Sequence, residues 1–122
     1  MARSPVRSFL RLFAALLTVL SLGALTAGPT AAESRTFAAH TVLMVNFQFV
    51  PQTVTVRAGD TVTWVNNSGS THTTTSDSPG WNFSVASGQA SPPVSFPTPG
   101  TFRYHCIPHA GSGMTGTVTV TP

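Results

Sequence analysis

The sequence predicts an all-β domain, a sandwich of antiparallel sheets or a Greek-key barrel of about seven to eight short strands. Three observations carry that expectation. Beyond residue 36, apolar residues alternate with Thr and Ser, and no 3.6-residue apolar period persists over two turns. Ten Gly and ten Pro punctuate the chain at short intervals. Once the N-terminal stretch is set aside, about 90 residues remain, enough for one small domain with a modest core.

That N-terminal stretch has the layout of an export signal. Arg3, Arg7 and Arg11 precede an apolar run from Leu12 to Ala27, and the small residues Gly28, Thr30, Ala31 and Ala32 follow around Pro29. A basic region, an apolar region and a small-residue exit predict a leader over residues 1–32, cleaved after Ala32. The run is interrupted by Thr18, Ser21 and Gly23, and it is shorter than the roughly 20 apolar residues of a membrane span. Only a retained leader would tether the domain to a membrane. Cleavage removes three of the six basic residues, so the net charge of +3 and the pI of 10.6 describe the precursor. Arg35, Arg57 and Arg103 are then balanced by Glu33, Asp60 and Asp77. A balanced domain has neither a basic footprint for nucleic acid nor a strong field for steering partners.

The strands follow in order. His40–Val45 alternates and reads as the first, and Phe47–Val50 as the next, with Phe47 and Phe49 on one face. Pro51 marks an edge or bend. Thr53–Val56 places Val54 and Val56 inward, Ala58–Asp60 turns, and Thr61–Asn66 puts Val62 and Trp64 on one face. Residues 67–71 form a loop leading to His72, and Thr73–Thr75 has high strand propensity. Residues 76–80 are loop, and Trp81–Val85 reads as an irregular edge segment. After a connection over 88–93, Val94–Phe96 is a short strand ended by residues 97–100. Thr101–Cys106 alternates cleanly, and Gly116–Val120 closes the domain.

The chemistry concentrates between Tyr104 and Met114, where Cys106, His109 and Met114 bring a thiol, an imidazole and a thioether together. Cys106 is the only cysteine, so it has no disulfide partner within the chain. An unpaired cysteine in an exported protein either pairs with another molecule or is protected as a ligand. Soft thiolate and thioether with a borderline imidazole suit copper. Zinc also takes Cys and two His, as mis-metallation in a recombinant sample. Strand alternation turns Phe102, Tyr104 and Cys106 inward and Arg103 and His105 away, which favours His109 over His105 as the ligand. Pro108 restrains the following turn, and the small residues 110–113 let Met114 return to the same metal. A further strong ligand has to come from elsewhere. His72, after a Trp-bearing strand and a loop, is the better candidate, and His40, within the first strand, reads as a solvated residue.

Three motifs make a resemblance specific: Cys106-x-x-His109-x4-Met114, Asn66-Asn67-x4-His72, and Phe47-x-Phe49-x-Pro51 leading to Gly59-Asp60 and Trp64. Over residues 37–121 the chain resembles the small blue-copper proteins of the cupredoxin family, with plastocyanin-like spacing. The resemblance implies a cupredoxin-like Greek-key fold and one type 1 copper ion bound by His72, Cys106 and His109, with Met114 as the weak axial ligand. It also implies single-electron shuttling between a donor and an acceptor redox protein docking near His109; the leader, for its part, predicts a periplasmic or extracellular domain, expected to be a monomer. Departures are visible as well. Plastocyanin-like sequences carry Asn after the first His ligand, where it helps tie the ligand loops together; here Thr73 stands in that place. His105 beside the cysteine, and the missing acidic surface, also differ from plastocyanin.

Rival readings are weaker. Multicopper oxidases and copper nitrite reductases need further histidines, often as His-x-His pairs, and the chain has four His and no such pair. The reading is therefore an electron-transfer protein rather than an enzyme. The alternative is a copper carrier or storage protein, which would favour an exposed Met- or His-rich site; beyond the leader only Met44 and Met114 remain. A metal-free adhesion-type β domain leaves the ligand spacing without a purpose.

Overall fold

Alternating apolar and polar residues, most clearly Val with Thr, give the longer strands one face for a core and one for water. The computed structural model describes Gly23 and residues 34–122, so the expected leader and its exit after Ala32 otherwise lie outside the described residues. The strands are β1 (Ala39–Val45), β2 (Gln48–Val50), β3 (Thr53–Arg57), β4 (Thr61–Asn66), β5 (His72–Ser76), β6 (Asn82–Val85), β7 (Val94–Ser95), β8 (Gly100–His105) and β9 (Thr115–Thr121). A 3-10 turn, Ile107–Ser112, precedes β9.

Two sheets form the expected sandwich, one in the order β2-β1-β4-β7 and the other β3-β9-β8-β5-β6. The sheets are mixed rather than antiparallel throughout. β1 and β4 run parallel from Ala39↔Thr61 to Met44↔Asn66, and β3 and β9 from Thr53↔Thr117 to Arg57↔Thr121. Alternation reports which face of a strand is buried and is indifferent to a neighbour's direction, so this pairing was not legible. Nine strands form among the described residues. The segment expected to be irregular is a regular strand, because β6 zips along β5 from His72↔Val85 to Thr75↔Asn82.

The core is filled from both inner faces. Val42, Met44, Val62 and Trp64 come from one sheet, and Val54, Val56, Tyr104, Val118 and Val120 from the other. Tyr104 meets Trp64 edge-on at 5.2 Å and Phe49 at 4.6 Å between ring centroids, geometries that aromatic quadrupoles favour. Gly116, opposite Tyr104 in register, makes room for that ring, since a Cβ there would overlap it. Burial pushes the Tyr104 hydroxyl up to about 12, with the nearby Trp64 N–H acting in the opposite sense. The two polar atoms fall outside hydrogen-bonding geometry and are buried without a partner among the described residues.

Phe47 does not share a face with Phe49. The pair Val45↔Gln48 leaves Asn46 and Phe47 as a two-residue hairpin turn, which lifts Phe47 out of the alternation. Phe49 is buried, and Phe47 is 48% exposed at one end of the sandwich.

The opposite end is tied by Asp60, just before β4. Its Oδ1 accepts from the Ala38 N–H at 2.9 Å, and its Oδ2 accepts from the Arg57 N–H at 2.9 Å and from His40 Nε2 at 3.0 Å. His40, expected to be merely solvated, is thus a structural partner. The Arg57 and Ala38 amides, then His40, lower the carboxylate's pKa to about 2.

Candidate metal centre

At the end of the sandwich away from Asp60, three separate segments converge. The first is delivered by Asn66, the last residue of β4. Its side-chain amide donates to the carbonyls of Ser70 (2.7 Å) and Val85 (2.8 Å), while its Oδ1 accepts from the Ser68 N–H (3.0 Å) and hydroxyl (2.8 Å). A fully satisfied buried amide of this kind fixes the loop of residues 67–71. The loop hands the chain to β5 with His72 as its first residue, fully buried.

The second segment is the 3-10 turn. Cys106, buried at its start, accepts through its carbonyl from the His109 N–H at 3.2 Å, and Pro108 lies in the first turn. Gly113 closes it at a φ of 80°, a left-handed conformation that suits glycine. Met114, also fully buried, then accepts from the Cys106 N–H at 3.0 Å and donates to the His109 carbonyl at 3.2 Å. The backbone therefore locks Cys106, His109 and Met114 into one loop.

His72 Nδ1, His109 Nδ1 and Cys106 Sγ face one another. The two nitrogens lie 3.1 Å apart, and the sulfur is 3.4 Å from His109 Nδ1 and 3.7 Å from His72 Nδ1. Ligands bound to one ion at about 2.0–2.3 Å, with about 100–120° between them, are spaced roughly 3.1–3.8 Å apart. The donor set therefore fits a single small, borderline-soft ion. These three residues form a potential metal-binding cluster, and His105 stands apart, its Nδ1 bonded to Asp77 at 2.6 Å.

The third segment is the β1–β2 hairpin, and it holds a residue that sequence reasoning missed. Asn46 Oδ1 accepts from His72 Nε2 at 3.0 Å. This contact protonates Nε2 and leaves Nδ1 with its lone pair aimed at the cluster, a role typical of groups just outside a metal's ligands. Asn46 lies 26 residues from His72, and its only sequence signal was a turn-forming residue between two strands. Burial, and next the neighbouring His109, lower the His72 pKa and favour the neutral imidazole. Phe47 lies against His109 with ring centroids 4.6 Å apart. Phe47 thus gives the half-buried His109 an apolar neighbour, and Ile107, two residues before His109 in the same turn, is 55% exposed.

Thr73 replaces the expected Asn with two separate contacts. Its N–H points at Cys106 Sγ at 3.3 Å, and its hydroxyl accepts from the Ile107 N–H at 2.8 Å. The two ligand-bearing segments are thus tied together at that position.

Residues 38–121 match the family model for copper binding proteins of the plastocyanin/azurin family. The chain belongs to that family. It is 42% identical over 83 residues to the plastocyanin of Scenedesmus fuscus, a match covering 59% of this chain and 85% of the relative. It is 36% identical over 83 residues to a chloroplastic plastocyanin of Physcomitrium patens, again over 59% of this chain but only 49% of the relative. The chain thus spans about half the length of that second protein. Among solved structures, a mutant fern plastocyanin superposes with a TM-score of 0.60 at 24% identity, over 66% of this chain and 99% of the other. A purple cupredoxin from Nitrosopumilus maritimus superposes with a TM-score of 0.62 at 22% identity, over 67% and 99%. These two likenesses establish the cupredoxin fold.

Proposed function

We propose that this protein is an exported one-electron carrier in which His72, Cys106 and His109 would hold one type 1 copper ion, with Met114 as a further, weaker ligand. The observation that carries the reading is the triangle of two imidazole nitrogens and one sulfur, spaced for a single ion, with His72 and Cys106 buried and His109 half-buried. Copper held there supplies a reversible Cu(I)/Cu(II) couple, and a site fixed between the preferences of the two oxidation states rearranges little when the electron moves.

The chain's own residues set the conditions. Asn46 fixes the His72 tautomer, and the Thr73 N–H donates toward the sulfur. Phe47 and Ile107 give the exposed side of His109 an apolar rim, where donor and acceptor proteins dock on a monomer. A site with four protein ligands keeps no position open for a substrate, unlike metal centres built for catalysis, which supports a carrier rather than an enzyme. Residues 1–32 act as the export signal, and the domain is membrane-bound only if that leader is retained. No helix among the described residues is long and apolar enough to cross a membrane.

Titration of the purified protein with Cu(II) tests the reading. The expected result is an intense visible thiolate-to-copper charge-transfer band that bleaches reversibly on reduction and disappears in Cys106→Ser. A colourless complex, or a band that survives that substitution, overturns it. Intact-mass measurement of the exported protein checks the leader, with Glu33 expected as the first residue.

A further inference from the structure

We infer that Thr73, Thr75 and Asn82 form a hydrogen-bonded relay that positions the Cys106 sulfur, so that residues remote from the metal centre tune its affinity for an electron. The inference rests on the copper reading above, but the relay itself is drawn from its own contacts. Thr73 and Thr75 are two apart on β5 and project from the same face, away from the core. Their hydroxyl oxygens are 3.0 Å apart, and the Thr75 hydroxyl donates to Asn82 Oδ1 at 2.9 Å.

The direction of donation follows from counting protons. A hydroxyl has one proton to give. Thr75 uses its proton on Asn82, so the Thr73 hydroxyl donates to Thr75, and the Thr73 oxygen is free to accept from the Ile107 N–H at 2.8 Å. Each link therefore polarises the next in one sense, from Ile107 through Thr73 and Thr75 to Asn82. The relay fastens the start of the metal-binding turn to β5, and β5 to the edge strand β6.

Its near end meets the sulfur. The Thr73 main chain that points its N–H at Cys106 Sγ belongs to the residue whose hydroxyl grips Ile107, the neighbour of Cys106. Loosening the grip lets the amide drift from the sulfur. A hydrogen bond to a thiolate draws charge off it and favours the electron-richer, reduced state. Weakening the relay therefore lowers the tendency of the site to be reduced. Thr73, Thr75 and Asn82 are positioning residues, acting through Cys106 and Ile107.

The test is a series of full-length variants, Thr73→Val, Thr75→Val, Asn82→Leu and Thr73→Ser, each loaded with copper and equilibrated against a one-electron reference couple. Thr73→Val is expected to lower the reduction equilibrium constant about threefold to tenfold (tenfold corresponding to 59 mV for one electron). Thr75→Val should lower it less and Asn82→Leu least, while Thr73→Ser restores the wild-type value. The double variant Thr73→Val/Asn82→Leu should match Thr73→Val alone, because a broken relay transmits nothing further. Additive effects, or a Thr73→Ser no better than Thr73→Val, overturn the relay while leaving the copper reading intact. Amide exchange in the copper-free protein tests the relay independently. The Ile107 amide should exchange faster in Thr75→Val and Asn82→Leu than in wild type, and unchanged exchange overturns the relay even if copper does not bind.

Discussion

The two ends of the sandwich each hold a polar cluster built around a buried side chain and a histidine, and they differ in what is left over. At the Asp60 end, the carboxylate is met by two backbone amides and the His40 ring. At the other end, Asn46, Asn66 and Thr73 hold the surroundings, while two imidazole nitrogens and a sulfur from separate segments converge within 3.1–3.7 Å of one another. Histidine is common to both, so residue type alone does not make a site. The contrast shows that a binding centre is recognisable as a place where ligand atoms from separate segments converge on one another rather than on the scaffold.

The largest expected effect that sharpens this contrast lies at Asn46. Replacing it with Leu leaves His72 unoriented, and copper affinity should fall about 10–100-fold, measured by competition with a chelator. The same substitution should leave the Asp60 end untouched, so an equal loss of acid stability in this variant would break the comparison.

A smaller effect is expected at Asp60, where the sign follows from its lowered pKa. The carboxylate is held at about 2, below its ordinary 3.8. Its contribution is therefore fully present above about pH 4 and is lost as pH falls through 2. Asp60→Asn should be less stable than wild type at neutral pH, and the two unfolding curves should approach each other below about pH 2. A gap that stays constant from pH 7 to pH 2 would contradict the assignment. Copper binding in this variant should be unchanged, as a titration would show.

The smallest effect is expected from salt. Arg57 and Asp60 sit at the end remote from the donors, and Phe47 and Ile107 at the proposed docking rim carry no charge. Association with a redox partner should change by less than about twofold as the Debye length shortens from about 30 Å to about 8 Å. A steep ionic-strength dependence, seen by stopped-flow, would move docking to the flank bearing Arg103, Asp77 and His105.

Much of the fold and site was legible because period-two patterning and short-range spacing are written locally. Thr101–Cys106 turned Cys106 inward and His105 outward as alternation demands, and Cys106, His109 and Met114 share one loop. What escaped depended on distant partners. Asn46 matters because of a histidine 26 residues away, and the parallel pairing of β1 with β4 depends on where the chain returns. Trp81–Val85 looked irregular because its order comes from β5. Phe47 misled for a different reason: a two-residue turn breaks alternation without leaving a strong mark in composition.

The place of β9 has a consequence for how the chain reaches this state. It lies between β3 and β8, so β3 has no neighbour in its sheet until residues 115–121 arrive. Contacts so distant in sequence are slow to form, because loop closure comes before any reward. Collapse of the first strands alone would leave β3 with an open edge and His72 without its sulfur. In refolding with Cu(II) present, colour is therefore expected no earlier than the pairing of β3 with β9, and colour that precedes protection of the β3 amides would contradict this order.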